Sequence, residues 1–242
     1  MRAGDDLAGL IAPHVRDGDI VVIAQKVVSK AEGQLRALAD VEPSAEAIAL
    51  ANQHDKDPRL VQVVLDESAE VIRASHGVLI CETRHGFVCA NAGVDVSNSG
   101  DQGVAVLLPV DPDASARRIR AAIAAPAGAA SPVPDASPVR VGVVVSDSFG
   151  RPWRLGVVDV AIGAAGIRVL DDWRGRTDSH GRQLHATEVA LADQLASAAD
   201  LARSKDSREP IVVIRGAEQY VSAADGPGAA ALRRPREIDL FR

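Results

Sequence analysis

Two polar, irregular runs hold the residues of this chain best equipped for chemistry. The first is Glu82-Thr-Arg-His-Gly-Phe-Val-Cys-Ala-Asn-Ala-Gly-Val-Asp-Val-Ser-Asn98 and the second is Ser146-Asp-Ser-Phe-Gly-Arg-Pro-Trp-Arg154. Neither has a helical period; the first fits strand alternation only in part, and the second breaks straight after a strand. A core needs no such density of Arg, His, Asn, Asp and Gly. Each run carries an aspartate with a hydroxyl or amide partner close by, among glycines and arginines. Those residues supply oxygen ligands for a hard divalent cation and positive charge for phosphate, which suggests an enzyme acting on anionic substrates.

Each candidate also has a plainer reading. Asp95 follows Gly93, which permits a tight backbone, and Asn98 lies three residues on; a cation held against phosphate or a simple Asx-turn accounts for the pair. Asp147 and Ser148 stand at the end of a buried strand, where they place two oxygen ligands at a sheet edge or cap the next turn. Arg84, Arg151 and Arg154 suit bidentate binding of phosphate or carboxylate, or are solvated surface charge. His85 is a ligand, a base or a neutral loop histidine, and Trp153 reads as packing rather than a stacking platform. Ser29 and Lys30, in a polar loop at a strand's end, could meet a nucleotide's phosphates. The chain has no P-loop, no dinucleotide fingerprint, no zinc spacing and no nucleophile elbow.

The elements that must position these residues are legible in outline. A helix is expected over Asp5–Val15, then a turn at Asp17-Gly18-Asp19 and a strand over Ile20–Val28 apolar enough to be buried on both faces. Asp57 and Pro58 read as N-cap and first residue of a helix whose stripe includes Leu60, Val64, Val71 and Ile72. Val78–Cys81 is a strand. Asp111 and Pro112 repeat the cap signal, ahead of a buried face of Ala116, Ile119 and Ile123. Val141–Val145 and Ile211–Ile214 are strands, and Thr187–Ala202 is an amphipathic helix with Leu191, Leu195, Ala198 and Ala202 on one side. The Ala-, Pro-, Gly- and Ser-rich stretch at about 126–138 is expected to be a flexible loop. Strands and helices mix without strict alternation, so the expected class is α+β.

Composition narrows the function. The chain has 242 residues, a formal charge of −6 and only 2% aromatics, which argues against nucleic-acid binding, since that needs a basic face and usually stacking rings. No run reaches transmembrane length and no charged-then-apolar segment follows Met1, so no membrane partner is expected. Cys81 and Cys89 are not a C-x-x-C pair and read as buried thiols of a reducing, cytoplasmic protein.

Six ordered motifs carry a resemblance. They are Ala24-Gln-Lys-Val-Val-Ser-Lys-Ala-Glu-Gly33, the run Glu82–Asn98, Leu108-Pro-Val-Asp-Pro-Asp-Ala-Ser115, the run Ser146–Arg154, Val160-Ala-Ile-Gly163 and Asp178-Ser-His-Gly-Arg-Gln-Leu184. In combination they resemble the coenzyme F420-0:L-glutamate ligase family, also called F420:γ-glutamyl ligase, from Gly4 onward. The resemblance implies a homodimer of a family-specific α+β fold with two interwoven subdomains, and a single domain over 1–242 without a C-terminal nitroreductase-like domain. It implies a GTP-dependent ligase joining L-glutamate to F420-0, and then further γ-linked glutamates, with Mg²⁺ or Mn²⁺ (two ions) and K⁺. Carried onto this chain, it makes Asp95, Asp147 and Ser148 metal ligands. Ser29, Lys30, Gln34 and Asn98 become nucleotide contacts, joined by a loop at about Ala202–Glu209 that holds Ser204 and Lys205. Arg84 and Arg151 are assigned to charge compensation beside Asp95 and Asp147. Three features depart from the family pattern: relatives carry a strand before the motif that here starts at Gly4, a metal-binding Gln corresponds to Ser204, and Ser148 replaces a common Thr. Two alternatives stay open: a GTP-dependent amide ligase for another carboxylate, and a nucleotide-binding homologue without turnover.

Overall fold

The computed structural model describes residues 1–96, 103–125, 139–203 and 207–240. In chain order the elements are α1 (Leu7–Ile11), β1 (Ile20–Ala24), α2 (Gln25–Ala31), β2 (Leu35–Ala37), α3 (Ala45–His54), α4 (Pro58–Asp66), β3 (Ser68–Ser75), β4 (Val78–Thr83), β5 (Val88–Ala90), β6 (Val104–Val106), α5 (Pro112–Ala124), β7 (Gly142–Arg151), β8 (Arg154–Ala165), β9 (Asp171–Asp172), β10 (Glu188–Val189), α6 (Leu191–Leu201) and β11 (Ile211–Ile214). Helices and several small sheets alternate irregularly, as an α+β fold requires. The chain builds two compact units, each from three segments. The first holds Met1–Asp5, Gln25–Asp111 and Ser148–Val158; the second holds Asp6–Ala24, Pro112–Asp147 and Asp159–Arg242.

The second unit is built on the most apolar runs of the chain. Ile20–Ile23 and Val143–Val145 are wholly buried, so only interior strands accommodate them. β1 pairs parallel with β7, Ala24 opposite Ser146, and antiparallel with β11; β8 completes the order β11-β1-β7-β8. α6 packs on this sheet through Leu191, Ala192, Leu195, Ala196 and Ala199. Leu191 and Leu195 face inward as expected, whereas Ala198 and Ala202 are exposed and Ala199 takes the inward place; the helix starts at Leu191 rather than Thr187. α5 behaves as read, with Ala116, Ile119 and Ile123 buried.

The first unit has an antiparallel sheet β3-β4-β5, a β2-β6 pair, and α3 and α4 around a core that includes Val61, Val64, Leu79, Cys81 and Leu107. Asp57 caps α4 by accepting the Arg59 N–H, with Pro58 first in the helix. The helix is shorter than its apolar stripe suggests: Val71 and Ile72 belong to β3, where Val71 pairs with Cys81 of β4 and Ile72 lies at a register shift, so cross-strand pairing overrides the helical spacing. Cys81 and Cys89 face each other across β4 and β5 as free, buried thiols, and burial pushes the Cys81 thiol up.

The largest difference from the sequence reading lies after β1. The strand stops at Ala24 and Gln25–Ala31 is helix, so Ser29 and Lys30 are helical rather than in a loop. Val27 and Val28 continue the β-branched run, but Gln, Lys and Ala around them are good helix formers. Gly33, at φ +71°, closes the helix: the Gln34 N–H reaches the Ser29 carbonyl at 2.8 Å and the Gly33 N–H reaches that of Lys30 at 3.2 Å, a Schellman cap that needs the left-handed glycine. The expected flexible loop at 126–138 lies outside the described residues.

Candidate functional site

Asp95 is placed by its backbone. It exchanges hydrogen bonds with Val106 of β6, Asp95 N–H to Val106 O at 3.1 Å and the reverse at 2.8 Å. Just before it, Asn91, Ala92 and Gly93 all sit in the left-handed region, at φ +51°, +53° and +73°. For Ala92 that costs about 1–2 kcal/mol, and such strain concentrates where geometry is imposed by use. The tight turn expected at Gly93 is present, and a Cβ there would lie 2.8 Å from Leu108. The turn delivers Asn91 and Asp95 to one pocket of about 190 Å³, with Val61, Val64 and Leu79 among its apolar walls and Lys56 at its lining. Asn91 Oδ1 is buried without a hydrogen-bond partner. The Asp95 carboxylate forms an ion pair with Lys26 of α2, a contact the sequence reading did not foresee.

The rest of the first polar run forms a hairpin tip. The Thr83 N–H donates to Phe87 O and the Phe87 N–H to Thr83 Oγ1, which leaves Arg84, His85 and Gly86 at the turn. Arg84 is exposed. His85 Nε2 faces the carbonyls of Pro109 and Val110 at 2.9 and 3.1 Å, so Nε2 carries the hydrogen and the ring ties the turn to the chain before α5. Its Nδ1 is buried without a partner. His85 stacks on Phe87, and Phe87 meets Phe149 edge to face.

In the second run the strand does not break. β7 continues through Ser146–Arg151 and turns into β8, because Ser146 to Gly150 keep the strand's inward and outward alternation. Asp147 is the last β7 residue of the second unit, and Ser148 the first of the first unit. Arg151 Nη2 donates to Leu155 O at 3.0 Å across the hairpin, and its Nε is buried without a partner. Trp153 does not pack as expected: it is 83% exposed at φ +56°, since the turn position holds it outward.

Beneath Asp147, Ser146 is buried in an ionic network of the second unit. Its hydroxyl donates to Asp159 Oδ2 at 2.8 Å, and Arg203 Nη2 lies 2.6 Å from the same oxygen. Arg203 Nη1 also donates to Pro210 O, and the Ser197 hydroxyl donates to Asp159 O. Asp159 carried no sequence signal, and Arg203 fell within the loop at about Ala202–Glu209 without being singled out, since their pairing is visible only in three dimensions.

Among the predicted nucleotide contacts, Ser29 is fully buried and its hydroxyl donates to Gln25 Oε1 at 2.9 Å. Lys30 is half-buried in α2, one helical turn beyond Lys26. Gln34 leads into β2, and its carbonyl accepts from Leu107 N–H. Asn98, Ser204 and Lys205 lie outside the described residues. The first unit thus brings Asp95 together with Asn91 and Lys26, while Asp147 follows Ser146, a member of the second unit's ionic network.

Among the described residues no three His, Cys, Asp or Glu side chains cluster as a metal cage. In the first unit the candidate donors are the Asp95 carboxylate and the Ser148 hydroxyl, and in the second unit the Asp147 carboxylate. Each is a hard oxygen of the kind that holds Mg²⁺ or Mn²⁺ together with substrate phosphates, and none is a soft ligand. No helix among the described residues is long and apolar enough to cross a membrane.

Comparison with known proteins is consistent along nearly the whole chain. Residues 1–216 match the model of the F420-0:gamma-glutamyl ligase family. The coenzyme F420:L-glutamate ligase of Methanothermobacter thermautotrophicus is 45% identical, over 99% of this chain and 94% of its own length. That of Methanopyrus kandleri is 46% identical, over 100% and 93%, and that of Methanocaldococcus jannaschii 46%, over 98% and 90%.

Proposed function

The chain belongs to the F420-0:γ-glutamyl ligase family, and from that premise we propose that it is a GTP-dependent ligase joining L-glutamate to coenzyme F420-0, with further glutamates added through γ-links. The observation that carries this reading is the likeness to relatives named coenzyme F420:L-glutamate ligase, at 45–46% identity over 98% or more of this chain.

The chemistry has to overcome the inertness of a carboxylate toward an amine. A carboxylate oxygen of the acceptor attacks the γ-phosphorus of GTP, the bond to the bridging oxygen breaks, and GDP leaves. The resulting acyl phosphate has a good leaving group. The glutamate amine attacks its carbonyl carbon, the C–O bond to phosphate breaks, and the amine's proton passes to a base, leaving an amide, phosphate and GDP.

Both transfers turn on positioning and charge neutralisation. Asp95, Asp147 and Ser148 would hold Mg²⁺ or Mn²⁺, two ions in all, with K⁺ assisting; the divalent ions, when bound, offset phosphate charge and align the transferred group. Ser29, Lys30 and Gln34, with Asn98, Ser204 and Lys205, meet the nucleotide, and the Ser29 hydroxyl, which donates to Gln25 Oε1, also braces α2 from inside. Arg84 and Arg151 present cations to the remaining negative charge. The working form is a cytoplasmic homodimer of this single domain, with no nucleic-acid or membrane partner.

The reading is tested by following GDP and phosphate release with F420-0 and glutamate supplied singly and together. Release that needs both is the expected result. Turnover with glutamate and a different carboxylate, but not with F420-0, would reassign the acceptor.

A further inference from the structure

Lys26 forms an ion pair with Asp95. It stands four residues before Lys30 in α2, so the two ammonium groups share one helix face, while Ser29 turns inward to Gln25. The Lys26 and Asp95 side chains keep 28% and 34% of their surface exposed. An ion pair so open to water holds a fold together only weakly. Asp95 does not depend on it for placement either, because the backbone exchange with Val106 and the left-handed turn before it already fix the residue. What the pair does is set a positive charge on the carboxylate. Asn91 lines the same pocket as Asp95, and its amide oxygen is buried without a hydrogen-bond partner.

We propose that Lys26 is a built-in counter-ion of Asp95. It neutralises the carboxylate until a divalent cation arrives, then yields it and turns its ammonium, beside that of Lys30, to the phosphates that the cation accompanies. Lys26 is therefore a positioning residue with two opposed effects: it competes with the bare cation for Asp95, and it strengthens binding of the cation–nucleotide pair. The inference rests on the reading of Asp95 as a metal ligand.

Opposed signs separate this role from a structural one. Mn²⁺ binding to the full chain is measured without nucleotide by the electron paramagnetic resonance signal of free Mn²⁺, and binding of Mn²⁺–GTP by calorimetry. Lys26→Met is expected to bind Mn²⁺ about two- to fivefold more tightly, the factor corresponding to an exposed ion pair, and Mn²⁺–GTP about tenfold or more weakly, as befits a lost charge-assisted contact to phosphate. Lys26→Arg, which keeps the charge, should stay close to the parent protein in both. Mn²⁺ binding that is unchanged or weaker in Lys26→Met overturns the proposal, as does absence of Mn²⁺ uptake by both proteins. Asp95→Asn serves as the control: if it binds Mn²⁺ like the parent protein, the assignment of Asp95 as a ligand falls with it.

Discussion

Arg203 and Asp159 form an ion pair at 2.6 Å, with their side chains only 8% and 5% exposed, directly under the strand residue that precedes Asp147. A pair buried this deeply adds little net stability, because removing both charges from water offsets their attraction. Breaking it is another matter, since one charge is then left buried alone. Arg203→Met or Asp159→Leu should each lower stability by about 3–5 kcal/mol, read from urea unfolding. The double variant should recover most of that loss. If it is as unstable as the sum of the singles, the network is not coupled as described.

Gly93 combines a left-handed backbone with a side-chain contact that forbids a Cβ. Gly93→Ala should cost about 2–4 kcal/mol, from the conformational term and from overpacking against Leu108. The same urea titration checks it, and a loss below about 1 kcal/mol would mean that the turn relaxes freely.

Asp193, in the first turn of α6, has its carboxyl pushed above the usual value by burial, partly offset by the Ala161 N–H that it accepts. A raised carboxyl penalises the ionised form. The penalty is absent below the ordinary value of 3.8 and grows as pH rises through the folded value. Asp193→Asn keeps the acceptor and removes the charge. Its melting temperature should exceed that of the parent protein at neutral pH, with the gap closing as pH falls below about 4. A gap independent of pH would contradict this origin.

Asp147→Ala and Asp95→Ala should abolish ligation while leaving the circular dichroism spectrum unchanged, because both side chains stand outside the two hydrophobic cores. Turnover near that of the parent protein would remove either residue from the metal assignment.

Much of this fold is legible because some segments admit one physical solution. Ile20–Ile23 and Val143–Val145 are too apolar and β-branched to be anything but interior strands, Ile211–Ile214 reads as a strand on the same grounds although it takes the sheet edge, and Asp57-Pro58 marks a helix start. The misread segments are those in which local and tertiary preferences compete. Val27 and Val28 extend a strand pattern but belong to α2, and Val71 and Ile72 fit a helical stripe but belong to β3, where Val71 pairs with Cys81. At the candidate site, Asp95 and Asp147 stand out by residue type and neighbours. Their partners do not: that Lys26 meets Asp95, or that Arg203 closes on Asp159, follows from contacts between segments distant in the chain.

The most direct test of the ligase reading is mass spectrometry of a reaction containing the purified chain, F420-0, L-glutamate, GTP and Mn²⁺. The account predicts a product heavier than F420-0 by one or more glutamyl units, formed only when GTP is present. Unchanged F420-0, from protein that binds Mn²⁺ and GTP, would contradict it.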